Sequence, residues 1–570
     1  MKIAWLVLSL VHLALSKPSC RCLYGEACWP KESDFSDLAL QLSQPLLYPK
    51  PPGSACYPAN NPSGNCSEVM LNALHGRWRS DQPGSMQAPN FETFMFLNGT
   101  ISACYINATL GFPCTQGSVP EIGVNARTIQ DVQATVKFAS THNLRLVVKN
   151  TGHDYLGRST ARGGLLLWTH NLKNVSYNPA FVPSGAPPEK NYKVSFLALT
   201  VGAGVQWYEA YDAAQAQGRV IVGGAGSTVG AAGGWIMGGG HSPLSGRHGL
   251  GVDNIIEFGV VTADGAYRTV NAYKNPDLFW ALRGGGGGTY AVVLSATYET
   301  HDPVPLTTII GQANFTSPTI AKSVITEFVR VHPTLADAGW GGYSFLSKES
   351  LSFAFVAHNV TVTDASTALE PFLSSARNAT GGGPLFQSVT LPYDSFYTFY
   401  LETFITDGEV GTNMELGSRL LPHDLSKQNP EKVAEIMLAI PQGVGINFVA
   451  GGAVSKVDPE TTGLHPDWRK AIALVFFIEG WVDGTPASDI QAARARIRNG
   501  LDTLDGLAPG SATYFNEASL YEKNPQKTFF GSHYKKLKDI KDKYDPMGLF
   551  IVASGVSSED WDGSLNCRLN

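Results

Sequence analysis

Glycine is gathered in this chain rather than spread evenly, and its dense runs fall in three loops, each adjoining a short apolar segment. The first loop is Lys149-Asn-Thr-Gly-His-Asp-Tyr-Leu-Gly-Arg158, between strand-like residues 144–148 and Leu165–Trp168. The second runs from Gly223 to Asp253 and leads into Ile255–Thr262. The third is Arg283 followed by five glycines to Gly288, ahead of a strand-like run at 290–298. A glycine loop lets backbone N–H groups approach a ligand closely, as a large phosphate-bearing molecule lying extended along a protein requires. Tight turns alone are the competing reading.

None of the three is a standard nucleotide loop. A Rossmann site needs G-x-G-x-x-G between a strand and a helix, but Gly202-x-Gly204 ends at Trp207 and Gly224-x-Gly226 ends at Val229. Gly286-x-Gly288-x-x-Ala291 has the spacing, yet Val-Val-Leu follows, a strand. No Gly-Lys-Ser/Thr and no Gly-x-Ser-x-Gly occurs, which disfavours ATP and common serine hydrolysis.

Export is legible at the N-terminus. Lys2 precedes an apolar run at 3–15 and small residues to Ser16, which predicts a signal peptide over 1–16. No apolar run approaches the length of a membrane span, so no membrane partner is expected. In an oxidising compartment the eight cysteines form an even set expected to pair as disulfides. Seven lie between Cys20 and Cys114, leaving Cys567 as the natural partner for one of them. A zinc site at Cys20, Cys22 and Cys28 is the alternative, but it lacks a second close ligand pair. Seven Asn-x-Ser/Thr sequons, at Asn65, Asn98, Asn107, Asn174, Asn314, Asn359 and Asn378, favour a secreted glycoprotein. The formal charge of -6 leaves no basic surplus for nucleic acid.

At 570 residues the chain exceeds a single core. Residues 17–118, rich in Cys, Pro and Ser, read as a disulfide-tied segment resting on a neighbour. Within 119–301, Ile129, Val132, Val136 and Ala139 recur at helical spacing after Thr128. Residues 302–508 read as a second α+β domain, with helices after Ser317-Pro318, at 430–440 and at 490–504, and strands at 352–357 and 471–478. Residues 509–570 close the chain.

His153 lies inside the first glycine loop. With that loop, the block 238–254, the run 277–288, Tyr514-Phe-Asn516, Phe530-Gly-Ser-His-Tyr534 and Tyr544-Asp-Pro546, all in family order, the chain resembles the vanillyl-alcohol-oxidase type of flavoprotein, specifically its berberine-bridge-enzyme-like fungal branch. The resemblance implies an α+β fold: a two-part PCMH-type FAD-binding domain, an α+β substrate domain with an antiparallel sheet, and a C-terminal segment packing back on the FAD domain. It implies FAD bound by Asn150, Thr151, Gly152, His153, Asp154 and Tyr155, then Gly226, Ser227, Thr228, Val229, Gly230, Gly233 and Gly234, with Gly240, His241, Gly249 and Asn516. His153 corresponds to the histidine that bonds the flavin 8α carbon. Gly226 stands where many members carry a second, cysteinyl attachment, so a single histidyl link is expected. Tyr514 is the candidate catalytic residue, as base or hydrogen-bond donor, and no metal is expected. Val229 falls near the place where oxygen meets the reduced flavin, and a small residue there suits an oxidase.

The expected function is therefore a secreted FAD-dependent oxidase acting on a small alcohol, amine or activated C–H group, with molecular oxygen as second substrate, in specialised metabolism. A carbohydrate oxidase of the same fold and a non-catalytic secreted glycoprotein are the alternatives.

Overall fold

A computed structural model describes residues 20–187, 195–404, 410–510 and 512–569, so the predicted signal peptide lies outside the described residues. Three large sheets carry the described chain, beside a two-stranded ribbon of Phe94–Met95 and Ile101–Ser102. The first is built from β1 (Leu46–Leu47), β2 (Ile122–Asn125), β3 (Leu146–Lys149) and β4 (Leu165–Trp168) in the order β1-β2-β4-β3, with β2, β4 and β3 parallel. Helix α1 (Ile129–Thr141) supplies the crossover. Thr128 starts it with a capping box, its hydroxyl accepting from the Asp131 N–H at 3.1 Å while the Asp131 carboxylate accepts from the Thr128 N–H at 2.9 Å. Val132, Val136 and Ala139 bury its inner face, as their spacing predicts. From the N-terminal segment, β1 adds antiparallel to β2.

The second sheet comprises β5 (Val175–Phe181), β6 (Phe196–Gly202), β7 (Ile255–Thr262), β8 (Tyr267–Asn271) and β9 (Ala291–Glu299), antiparallel throughout in the order β8-β7-β9-β6-β5. The third glycine run leads directly into β9, so it opens a strand and not a helix.

The 302–508 stretch forms the third sheet, seven antiparallel strands: β10 (Leu306–Asn314), β11 (Gly341–Leu346), β12 (Ser350–His358), β13 (Phe386–Tyr393), β14 (Asn413–Pro422), β15 (Val444–Phe448) and β16 (Ala471–Trp481), ordered β13-β10-β12-β11-β15-β16-β14. Helices α2 (Pro318–Asp337), α3 (Val362–Thr380) and α4 (Ala487–Leu504) cover one face, burying Phe328, Phe372 and Ile497 against Phe353, Phe355 and Phe477. The other face looks toward the glycine loops. There the ladder opposes Tyr343 to Asn447 and places Gly445 between Phe345 and Phe476, and opposed residues on neighbouring strands share a face.

The C-terminal segment returns to the first half of the chain. Helix α5 (Tyr534–Tyr544) accepts a hydrogen bond at the Leu537 carbonyl from Tyr290 Oη at 3.1 Å, and buried Lys541 donates to the Thr289 carbonyl at 2.6 Å. The cysteines pair as Cys20–Cys567, Cys22–Cys28, Cys56–Cys66 and Cys104–Cys114. Cys567 thus has the N-terminal partner that its isolation in sequence called for, and the Cys22 and Cys28 sulfurs are no longer free to hold zinc.

Candidate active site

A cavity of about 450 Å³ lies where the glycine loops, the open face of the third sheet and the C-terminal segment meet. Asn150, Thr151, Gly152, His153, Asp154 and Tyr155 line it from the loop after β3. Asn150 pins that loop by donating to the Ala203 carbonyl at 2.6 Å, and the Asp154 carboxylate folds it by accepting from the Leu156 and Ser159 N–H groups. Lys149, buried beneath, donates to the Gln82 and Pro83 carbonyls at 2.8 and 3.0 Å, and burial pushes its amine down to about 7.

Gly226, Val229, Gly230, Gly233, Gly234 and His241 line the cavity from the second block. At Gly233 and Gly234 nothing lies within 4 Å of where a Cβ would stand, so this stretch of backbone is bare toward open space. Ser227 and Thr228 sit buried behind the lining. Gly240 and Gly249 lie outside it: a Cβ would meet the Trp235 ring at 2.6 Å and Asp253 at 2.9 Å respectively, so both serve close packing.

His153 is half-buried, with Nε2 2.7 Å from Thr228 Oγ1. Burial pushes its imidazole down to about 3, which keeps the ring neutral and nucleophilic at ordinary pH. Tyr514 is 1% exposed, and its Oη accepts from Asn516 Nδ2 at 2.8 Å. Burial, reinforced by the charge of Glu517, raises the Tyr514 phenol well above its ordinary value, so the hydroxyl keeps its proton and is a hydrogen-bond donor to the cavity. Asn516 Nδ2 also donates to the Gly234 carbonyl at 3.0 Å, tying the C-terminal segment to the bare glycine stretch.

Several lining groups carry no signal that the sequence reading used. Glu517 follows the Tyr-x-Asn motif directly, and its carboxylate meets His241 Nε2 at 2.9 Å and Asn447 Nδ2 at 3.0 Å. Tyr343 and Asn447 are distant in sequence and join the site only through the β11–β15 pairing. Arg158 donates to the Phe515 and Ala553 carbonyls at 2.7 and 2.9 Å and stacks on the Phe515 ring at 3.6 Å. Its Nη2 is buried without a hydrogen-bond partner among the described residues.

These features suit an extended flavin dinucleotide. Bare glycine backbone can accept a flat ring, an unmatched guanidinium N–H suits a phosphate or carbonyl oxygen, and a neutral histidine stands in the lining. The residues that would hold the group are those of the two loops with Arg158 and Asn516.

Comparison with known proteins agrees. Residues 120–271 match the family described as FAD binding domain, and residues 513–557 that described as berberine and berberine like. An uncharacterized FAD-linked oxidoreductase of Arthroderma benhamiae is 37% identical, with 98% of each chain covered. A VAO-type flavoprotein oxidase of Thermothelomyces thermophilus is 34% identical across 97% of this chain and 95% of its own. The crystal structure of a VAO-type flavoprotein from Myceliophthora thermophila C1 superposes with a TM-score of 0.85 at 31% identity, covering 97% of this chain and 100% of that one. Berberine bridge enzyme from Eschscholzia californica, at 17% identity and a TM-score of 0.65, shares the fold. The loops, the cavity they frame and the relatives that match end to end make this chain a member of the fungal VAO-type, berberine-bridge-like FAD-linked oxidoreductases.

Proposed function

We propose that this oxidoreductase is an exported oxidase that carries FAD on His153 through a single covalent bond. It takes two electrons from a small alcohol, amine or activated C–H group and returns them to oxygen as hydrogen peroxide, in specialised metabolism. The carrying observation is the His153–Thr228 pair: a neutral imidazole held at Nε2, in the cavity lining, beside a glycine where a cysteine would make a second bond. Bound FAD supplies the electron-pair acceptor for the substrate and the donor for oxygen.

The chain's own residues do the rest. Asn516 and the Gly233–Gly234 backbone fix one side of the cavity, and Arg158 anchors the first loop to the C-terminal segment. The rings of the third sheet give the cavity an apolar wall. Export is supported by the sequence signal, by four disulfides and by sequon asparagines exposed at Asn65, Asn98, Asn107, Asn174, Asn359 and Asn378, with Asn314 half-buried. No helix among the described residues is long and apolar enough to cross a membrane.

The test is anaerobic screening of alcohols, amines and sugars by loss of oxidised-flavin absorbance, followed by admission of air and assay for peroxide. Bleaching by a non-sugar with stoichiometric peroxide is expected. Bleaching by oligosaccharides alone would make the enzyme a carbohydrate oxidase, and protein purified without flavin would defeat the reading altogether.

A further inference from the structure

The cavity has two unlike walls. The glycine loops give it backbone, whereas the third sheet gives it side chains, the rings of Tyr343, Phe345 and Phe476 among Leu416, Asn447 and Ile478, with Phe404 beside them. Phe345 and Phe476 flank Gly445 with centroids 6.0 Å apart, and Phe404 meets Tyr343 edge-on at 5.5 Å. A Cβ at residue 445 would come within 2.2 Å of the Phe476 ring, so glycine there is what lets the ring lie flat on the sheet. Ile478 and Leu416 extend the apolar surface.

Against this wall stands one carboxylate. The Glu517 side chain is 24% exposed, with His241 Nε2 at Oε1 and Asn447 Nδ2 at Oε2, so both oxygens are oriented while the group still faces the cavity. The other acidic group in the lining, Asp154, is occupied by the turn of its own loop. The titratable groups around Glu517 are His241, Tyr343 and Tyr514, and burial, followed by the charge of Glu517, holds both phenols in their protonated form. Tyr343 Oη is buried with no hydrogen-bond partner among the described residues. A polar atom on a substrate would satisfy it.

We propose that Glu517, oriented by His241 and Asn447, is the proton acceptor for the hydroxyl of an aromatic, otherwise apolar alcohol whose body lies against Phe345, Phe404 and Phe476. The proposal rests on the FAD-oxidase reading. The O–H bond breaks and its proton passes to the Glu517 carboxylate, giving the carboxylic acid. The adjacent C–H bond breaks and its hydrogen leaves with the electron pair to oxidised FAD, and the C–O single bond becomes C=O. The alcohol loses two electrons and two hydrogens and departs as an aldehyde or ketone. A carboxylate suits the first step because its proton affinity matches transfer from an alcohol only while the C–H bond is breaking, which couples the two events.

Holoenzyme and Glu517→Gln protein would be titrated with 4-nitrophenol, an unreactive aromatic whose phenolate is strongly coloured, and the ionisation of the bound probe followed by difference absorbance. In the wild type the carboxylate should hold the probe neutral, with its midpoint at least about one pH unit above that in free solution. E517Q should remove that difference while retaining full flavin. In an anaerobic screen of benzylic alcohols, the fastest wild-type substrate should reduce E517Q at least about a hundredfold more slowly. An unshifted midpoint in the wild type overturns the proposal even if E517Q fails to fold. So do a probe that does not bind, equal reduction rates, or a wild type that no benzylic alcohol reduces. Protein lacking flavin would instead sink the underlying FAD reading, and the visible spectrum separates the two failures.

Discussion

Thr228 Oγ1 lies 2.7 Å from His153 Nε2, and this contact gives the two ring nitrogens different roles. With Nε2 engaged, Nδ1 is the nitrogen left for the covalent bond proposed to the flavin. With Nε2–H donating to Thr228 Oγ1, Nδ1 carries the ring's lone pair, and burial keeps the imidazole from taking a second proton there.

Covalent attachment should therefore depend on both residues to different degrees. His153→Ala should abolish flavin that survives denaturation and electrophoresis. Thr228→Val leaves the nucleophile but frees the ring to rotate, and should slow attachment by about a hundredfold, the scale of a misplaced reacting group. Intact mass after timed incubation with FAD measures the rate, and an adduct mapped to any other residue would refute the assignment.

Val229 lines the cavity beside Gly226, where an added Cβ would sit 3.0 Å from Val229 Cγ2. One more methylene on this lining residue would narrow the cavity through which the proposed oxidase admits oxygen. Photoreduced wild-type enzyme mixed with aerated buffer is expected to reoxidise rapidly and release peroxide. Val229→Leu should slow this by at least about tenfold, or roughly 1.4 kcal/mol in barrier. Reoxidation by quinones or dyes only, already in the wild type, would make the protein a dehydrogenase.

The readable parts of this chain were those whose physics is local. The Thr128 capping box, the Val132–Val136–Ala139 stripe and the buried strand beginning at Ala471 all follow from spacing within a few residues, and each appears in the fold. The glycine loops were legible because their motif carries a family. Glu517 adjoins Asn516 but carries no local signal, because an acidic residue beside a motif is ordinarily a solvated one. Only the fold brings it to His241 and Asn447. Tyr343, Phe345, Asn447 and Phe476 were illegible for a different reason: their common face exists only once β11, β15 and β16 pair, and no local pattern encodes that register.

The Cys20–Cys567 bond joins the two ends of the described chain across 547 residues, and Cys567 also lies on the loop that Arg145 holds through the Leu565 carbonyl. Thiol titration of denatured, unreduced protein should find about none free. Replacing both cysteines by serine should cost about 2–5 kcal/mol, lowering the calorimetric midpoint by several degrees without loss of flavin. Unchanged stability would mean that the terminal contacts hold without the bond.

Acid should unfold the protein through its buried histidines. Burial pushes His332 down to about 3 and His301 and His358 to about 4, against an ordinary value near 6.5. Between about pH 4 and 6.5 the unfolded chain therefore binds protons that the native protein does not. Stability conferred by the neutral rings is complete above about 6.5 and is lost as the pH falls toward 4. His332 isolates the effect, because it is 1% exposed, packs among Phe328, Phe355 and Phe448, and stands apart from the proposed active site. His332→Leu nearly conserves volume and should change stability at pH 7 by less than about 1.5 kcal/mol. It should also lower the dependence of unfolding free energy on pH by about one proton, roughly 1.4 kcal/mol per pH unit near pH 5. Urea unfolding of wild type and variant from pH 7 to pH 4.5 measures both slopes, and equal slopes would show that His332 binds its proton without unfolding the domain.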